Sequence, residues 1–218
     1  MEIELKNIEG KVIKKIPASD YVWAQPMNES LVHQVVVAQR NNRRQGTSSS
    51  MRRRDSDYST AKLRAQKGSG RARVGSRSSH LFGNSVAHGP RPRSFSQKIQ
   101  RRVKKASIRM VLSEKLKEGE VTLLDNFAMD QISSKRISQA VKNIGLLGKS
   151  LLIMEKSEIE RNLLISIKNV KGIKTVSSDL INTYDLMAVK NLLITQEALS
   201  SIEKIWDRKG KAGGNNEY

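Results

Sequence analysis

The sequence predicts an α/β fold: a mainly parallel sheet with helices on both faces, plus a long basic extended loop. The apolar pattern predicts the sheet. Residues 120–206 alternate short apolar runs with helical segments of 10 to 14 residues, and strands alternating with helices build parallel sheets covered on both sides. Residues 1–17 read instead as a small hairpin of alternating polarity. Charge predicts the loop. Between residues 40 and 105, nineteen lysines and arginines stand against two acids, Asp55 and Asp57, so this segment carries +17 of the formal +19. Charge and fold have been separated along the chain.

The elements follow in order. Ile3 and Leu5 alternate with Glu2, Glu4 and Lys6, residues 7–10 supply turn chemistry, and residues 12–16 alternate again before Pro17. Trp23, in a linker ahead of Pro26, is expected to cover the domain. From Asn28, a good N-cap, Leu31, Val32, Val35, Val36 and Ala38 recur at helical spacing and carry a helix to the vicinity of Arg43. A second helix is expected from Ser96 as N-cap, with Ile99, Val103, Ala106 and Met110 on its packed stripe. Arg101, Arg102, Lys104 and Lys105 fall mainly on the other side, toward a polyanion. Gly119 stops it.

Residues 121–125, 151–154, 173–176 and 192–195 are the expected strands of the sheet. Between the first two, residues 134–143 form a helix with Ile137, Ala140, Val141 and Ile144 on one face and Gly145 as its stop. A capping box of Ser157 and Glu160 opens the next, with Ile159, Leu163, Leu164 and Ile167 as its buried stripe. A helical turn is expected over residues 184–189. Thr195 caps the last helix, which carries Leu199, Ile202 and Trp206 inward. Residues 210–218 are expected to form a flexible tail.

Residues 44–97 keep neither period and hold only scattered apolar side chains such as Leu63, Leu81, Phe82 and Val86. They cannot bury a core. Alone, such a segment is expected to be disordered, since little burial opposes its conformational entropy, and to order on a partner. Loops this long inside a domain are usually functional. A dense cationic stretch binds nucleic acid because each neutralised phosphate releases condensed counterions. Lying on a membrane would require an amphipathic apolar face, which this stretch lacks. Roughly 27 residues out and 27 back, at up to ~3.3 Å each, reach several tens of Å. The expected organisation is therefore residues 1–43 as hairpin and first helix, 44–97 as the arm, 98–209 as the rest of the α/β domain, and 210–218 as tail.

Several chemistries lack their residues. The chain has no cysteine, so a disulfide framework and thiolate zinc sites are excluded, and its three histidines are scattered; no metal is expected. No apolar run approaches the ~18 residues of a membrane span, and the first residues do not read as a signal peptide, so a soluble intracellular protein is expected. Gly68-Ser69-Gly70-Arg71-Ala72-Arg73 places arginine where a dinucleotide fingerprint needs its third glycine, with no strand before it. There is no phosphate loop, nucleophile elbow or H-E-x-x-H. Asp125 and Glu155, near strand ends, read as loop solubilisers. His33 reads as packed or capping, and His80 and His88 as stacking or phosphate contacts. No catalytic residue and no cofactor is expected.

The informative stretch is Gln66-Lys67-Gly68-Ser69-Gly70-Arg71-Ala72-Arg73-Val74-Gly75-Ser76. Its glycines allow positive φ and close backbone approach, while the interleaved cations neutralise phosphates. Arginine's planar fork binds phosphate bidentately and stacks on unpaired bases, which suits folded RNA better than regular duplex. The candidate RNA-binding residues are Arg43, Arg44, Gln45, Gly46, Thr47, Arg52, Arg53, Arg54, Lys62, Arg64, Gln66, Lys67, Gly68, Gly70, Arg71, Arg73, Arg77, Arg91, Arg93, Lys98, Arg101 and Arg102. Physical reasoning alone reaches an RNA-embedded arm. An RNA-modifying enzyme with a basic clamp, or a free RNA chaperone, would also use one.

Four ordered segments carry a resemblance: Leu31-Val32-His33-Gln34-Val35-Val36-Val37-Ala38, Arg43-Arg44-Gln45-Gly46-Thr47, the stretch from Gln66 to Gly75, and Gly89-Pro90-Arg91-Pro92-Arg93-Ser94-Phe95-Ser96-Gln97-Lys98. The chain resembles, over almost its whole length, the family of the fourth protein of the large ribosomal subunit in its bacterial and organellar form. The resemblance implies a structural rRNA-binding protein, early in subunit assembly, located in the ribosome of the cytoplasm or an organelle. Its partners would be large-subunit rRNA, neighbouring ribosomal proteins and the nascent polypeptide, with no membrane and no homo-oligomer. It implies that the arm threads through rRNA to the peptide exit tunnel, with Lys67 near the constriction and Gly68, Gly70, Arg71 and Arg73 in the adjacent rRNA-contacting turn. The chain departs from the family at Lys62-Leu63-Arg64, where Lys-Pro and an aromatic are common, and at residues 55–60, where a glycine-rich run is usual. Arg64 is expected to take over the aromatic's role at the tunnel-facing tip, beside Lys67.

Overall fold

The computed structural model describes residues 1–83, 85–125, 132–145, 148–158 and 161–206. The chain forms two compact units, one of Met1–Gln39 with Lys98–Tyr218 and the other of Arg40–Gln97. The first unit holds a six-stranded sheet in the order β2-β1-β3-β6-β4-β5. β1 (Glu2–Lys6) and β2 (Val12–Pro17) pair antiparallel as the hairpin. β3 (Val121–Leu124), β4 (Ser150–Met154), β5 (Ile173–Ser177) and β6 (Asn191–Thr195) are parallel to one another, and β3 joins them to β1 in the same sense. The expected α/β class with a mainly parallel sheet holds.

Consecutive strand residues point to opposite faces, so the apolar runs must fill two layers. Leu123, Leu151, Ile153, Leu192 and Ile194 enter one cluster, with Ile3 and Leu5 of the hairpin. Leu124, Leu152, Met154 and Leu193 enter the other. The first layer is completed by α1 (Asp20–Trp23), α2 (Glu29–Asn42), α3 (Arg101–Lys117) and α7 (Gln196–Trp206), through Val22, Trp23, Val32, Ile108, Val111, Leu112, Leu199 and Ile202. α4 (Ser134–Asn143) and α5 (Arg161–Lys168) close the second with Ile137, Ala140, Leu163 and Ile167. A short α6 (Thr183–Ala188) adds Leu186 to the first layer, and the Asn182 side chain caps it by accepting from Asp185 N at 2.9 Å.

Local chemistry sets several boundaries as expected. Asn28 Oδ1 accepts from Leu31 N at 3.1 Å at the start of α2, Thr195 Oγ1 accepts from Ala198 N at 3.3 Å at the start of α7, and Gly119 and Gly145 end their helices at φ +73° and +77°. Other expectations are corrected. α3 begins at Arg101 with Gln100 as N-cap, not at Ser96, and its deepest stripe is Ile108, Val111 and Leu112, while Ile99, Val103, Ala106 and Met110 are only half-buried. Leu164 is exposed on α5. His33 is exposed on α2, neither packed nor capping. Trp23 does cover the domain, as the end of a four-residue helix, and is fully buried. Ile159, Glu160 and the tail 210–218 lie outside the described residues.

Several polar groups inside this unit are tied down, although the Trp23 and Trp206 indole nitrogens and Ser150 Oγ are buried without a hydrogen-bond partner among the described residues. Ser107 Oγ meets Thr183 Oγ1 at 2.6 Å between α3 and α6, and Ser113 Oγ donates to Arg109 O at 2.8 Å. Lys115, almost wholly buried, pairs with Glu120 at 2.5 Å and donates to Lys190 O at 3.0 Å. Lys105 Nζ donates to Ile205 O and an Arg109 guanidinium N–H to Trp206 O, both at 3.2 Å, satisfying orphan carbonyls at the end of α7. Lys105 is thereby committed to the domain, not to the polyanion-facing side expected for it.

Candidate nucleic-acid interface

The second unit, Arg40–Gln97, contains no β-strand among its described residues and, apart from the end of α2, only two 3-10 turns, Arg53–Asp55 and His80–Phe82. It is nevertheless a hairpin. The outgoing and returning legs are joined in order by cross-leg bonds. Asn42 bridges both backbone groups of Gln97, accepting from its N–H at 2.6 Å and donating to its carbonyl at 3.2 Å. Arg93 N donates to Gly46 O at 3.0 Å, Ser50 N to Pro90 O at 3.2 Å, and Val86 N to Met51 O at 3.0 Å. The Arg53 guanidinium reaches Ser76 Oγ at 3.4 Å, and Leu63 N donates to Gly75 O at 3.0 Å. Beyond that last rung lies the apical loop, residues 64–74.

Glycine makes the closest rungs possible. A Cβ on Gly46, which sits at φ +72°, would lie 2.0 Å from Arg93 O and 3.2 Å from the Phe95 ring. One on Gly89 would lie 1.9 Å from Ser50 Oγ. The apical glycines act otherwise. Gly68 and Gly70 take φ of +84° and +61° with nothing within 4 Å of an added Cβ, so they are needed for the turn rather than for close approach.

Among its described residues the arm has no apolar core. The buried ones among them are Ser76, Ser78 and Ser85. Ser76 and Ser78 hydroxyls meet at 2.8 Å, and Ser85 Oγ donates to Ser78 O at 2.9 Å. Hydroxyls satisfy one another there instead of excluding water, so the charge stays outside. Arg43, Arg44, Gln45, Thr47, Arg53, Arg54, Lys62, Gln66, Lys67, Gly68, Gly70, Arg71, Arg73, Arg77, Arg91 and Arg93 are exposed, with Gly46, Arg52 and Arg64 half-buried. Lys62 Nζ contacts Gln66 Oε1 across the entrance to the apical loop. Asp55 caps the first 3-10 turn by accepting from Arg52 N at 3.1 Å, and it pairs with Arg54 at 3.2 Å. The guanidinium of Arg77 lies 5.7 Å from the centroid of Tyr58. In the α/β unit, Lys98 precedes α3, and Arg101 and Arg102 are exposed on its first turn.

Sequence reasoning missed the structure at the arm's root. Phe95 has Arg44 over its ring at 3.8 Å from the centroid and Arg93 at 4.6 Å. Beside them is a cleft of about 750 Å³ lined by Arg44, Gln45, Gly46, Thr47, Ser48, Gly89, Pro90, Arg91, Arg93 and Phe95. The signal was present: a lone aromatic after Arg-Pro-Arg-Ser, opposite an Arg-Arg-Gln-Gly run. Asn42 and the serine knot carry no periodic signal.

The chain thus combines a mainly parallel α/β unit with a cross-bonded polybasic hairpin whose cations are mostly exposed and whose buried described residues are serines. Comparison with known proteins gives the lineage. Residues 16–205 match the ribosomal protein L4/L1 family. The chain is 34% identical over 212 residues to the large ribosomal subunit protein uL4 of Dehalococcoides mccartyi, covering 97% of this chain and all of that one. It is 37% identical over 203 residues to that of Desulfatibacillum aliphaticivorans (93% and 97% covered) and 37% identical over 207 residues to that of Cytophaga hutchinsonii (94% and 99%). The chain belongs to the ribosomal protein L4/L1 family.

Proposed function

We propose that this chain is a structural constituent of the large ribosomal subunit, located in the cytoplasmic ribosome, that binds large-subunit rRNA through residues 44–97 and the first turn of α3. The observation that carries the reading is the arm itself. Fourteen cations against two acids on residues 40–97 are displayed on a hairpin whose interior is serine, in a chain whose relatives are named for the large subunit. Such a hairpin gains more from phosphate neutralisation than from its own few bonds, so it fits an RNA environment. Its role is scaffolding, not catalysis.

The finer reading is that the protein binds rRNA early in subunit assembly, contacts neighbouring ribosomal proteins, and places the apical loop in the wall of the peptide exit tunnel. Support comes from the exposed Lys67 in the Gln66–Gly75 motif and from the loop's position beyond the last cross-leg rung. Arg64, half-buried at the start of that loop, supplies the flat cationic group where the family commonly has an aromatic. Co-sedimentation with large subunits through high salt tests membership of the subunit, and a density map of the assembled particle tests the loop. Release from the subunit at moderate salt would overturn the first, and Lys67 on the outer surface the second.

A further inference from the structure

We propose that the cleft at the arm's root is a nucleotide-binding pocket that takes one unpaired RNA base onto the Arg44–Phe95–Arg93 stack. The inference rests on the RNA-binding reading above and deepens it, separating where the arm reads shape from where it merely supplies charge. The ring and both guanidinium carbons already lie within cation–π range, at 3.8 and 4.6 Å. In the closed hairpin the flat groups are therefore held together, so a base that meets that state finds its stacking surface already formed. An unstacked base extends such a column, because aromatic rings and guanidinium planes are the surfaces on which splayed bases stack.

The surroundings fit the rest of a nucleotide. A cleft of about 750 Å³ is of the size that holds small organic ligands. Its wall adds Arg91 for a phosphate, and the Thr47 and Ser48 hydroxyls with the Gln45 amide for base edges or a ribose 2′-hydroxyl. Glycine at 46 and 89 fixes the spacing of the two legs that form the walls, because any side chain there would collide with the opposite leg. No acid is among the described residues that line the cleft. The apical loop differs: residues 64–74 contain four cations and no aromatic residue. An aromatic ring to stack on belongs to the root and not to the tip.

The test is a titration of large-subunit rRNA transcript with the full chain over a salt series. Phe95→Leu keeps every charge, so its Kd should rise about tenfold at each salt concentration while the log–log slope stays as in the wild type, the signature of one lost stacking contact. Phe95→Trp should restore affinity, whereas a leucine that merely unsettled the arm would not be rescued by a larger ring. Arg93→Lys, which retains charge but loses the plane, should weaken binding at unchanged slope. Ultraviolet crosslinking of the wild-type complex should join the peptide around Phe95 to one RNA position. An unchanged Kd for Phe95→Leu, a loss accompanied by a falling slope, or a crosslink from this peptide to a ribosomal protein in intact subunits would each overturn the pocket. Failure of the wild-type chain to bind the transcript would instead overturn the RNA-binding reading itself.

Discussion

Gly46→Ala separates the geometry of the arm from the stability of the domain. In the native hairpin this residue sits at φ +72°, and its alanine Cβ would lie 2.0 Å from Arg93 O. The left-handed conformation costs a non-glycine residue roughly 1–2 kcal/mol. Relieving the clash also breaks the 3.0 Å bond from Arg93 N to Gly46 O, worth ~0.5–1.5 kcal/mol. The variant should therefore lose about 2–3 kcal/mol of hairpin closure, equivalent to roughly 30- to 150-fold in rRNA affinity if the bound arm is zipped. The globular domain should melt at the wild-type temperature, because residue 46 belongs to the other compact unit. Filter binding and calorimetry on the same preparation measure the two effects. Gly68→Ala is the internal comparison: it carries the same kind of φ but meets nothing within 4 Å, so it should cost only the conformational term. Wild-type affinity for Gly46→Ala, or equal losses for the two variants, would refute the inference that a close cross-leg contact shapes the bound arm.

Arg71→Ala and Arg73→Ala should each weaken rRNA binding and lower the log–log salt slope by roughly 0.7–0.9 per lost phosphate contact, whereas Lys204→Ala should change neither; a salt-series titration distinguishes them. Lys115→Ala strands Glu120 beside the Lys190 carbonyl, and urea unfolding should show a loss of about 3 kcal/mol, in keeping with the breaking of a nearly buried pair. Amide exchange on the isolated chain should be near intrinsic rates along residues 44–97, whose bonds have no apolar cover, and slow in β4 and β6, whose residues 151–154 and 192–195 are buried.

Legibility followed the range of the interactions. The bounds of α4 were read directly as residues 134–143, and all four parallel strands to within a residue, because a buried apolar run or stripe is a local pattern. Ser96 reads as a cap because residues 96–110 keep helical spacing. The first of them belong to the returning leg, where Asn42 holds both backbone groups of Gln97 and the helix cannot begin until Arg101. Leu164 looked inward by spacing, yet Leu163 and Ile167 already meet the second core layer and the next residue round the helix faces out. Residues 44–97 were legible as a charged, core-less segment, but their ladder was not, since it depends on glycine notches and hydroxyl pairs between residues tens of positions apart. The Arg–Phe–Arg stack was hidden for the same reason: Arg44 and Phe95 meet only because the legs close.

The three buried serines have a thermal consequence. Apolar surface removed from water gives folding its large heat-capacity change and makes stability a curved function of temperature. The α/β unit, with two apolar layers, must carry that curvature, while a knot of hydroxyls carries almost none. The Arg40–Gln97 hairpin should thus keep nearly the same balance of zipped and open states on cooling, where hydrophobic packing weakens. A heat-capacity change measured as the chain joins RNA would then report on the domain, on the nucleic acid or on the base stacked against Phe95. The arm would contribute heat and charge but little curvature, and could enter folded RNA in the cold as readily as in the warm.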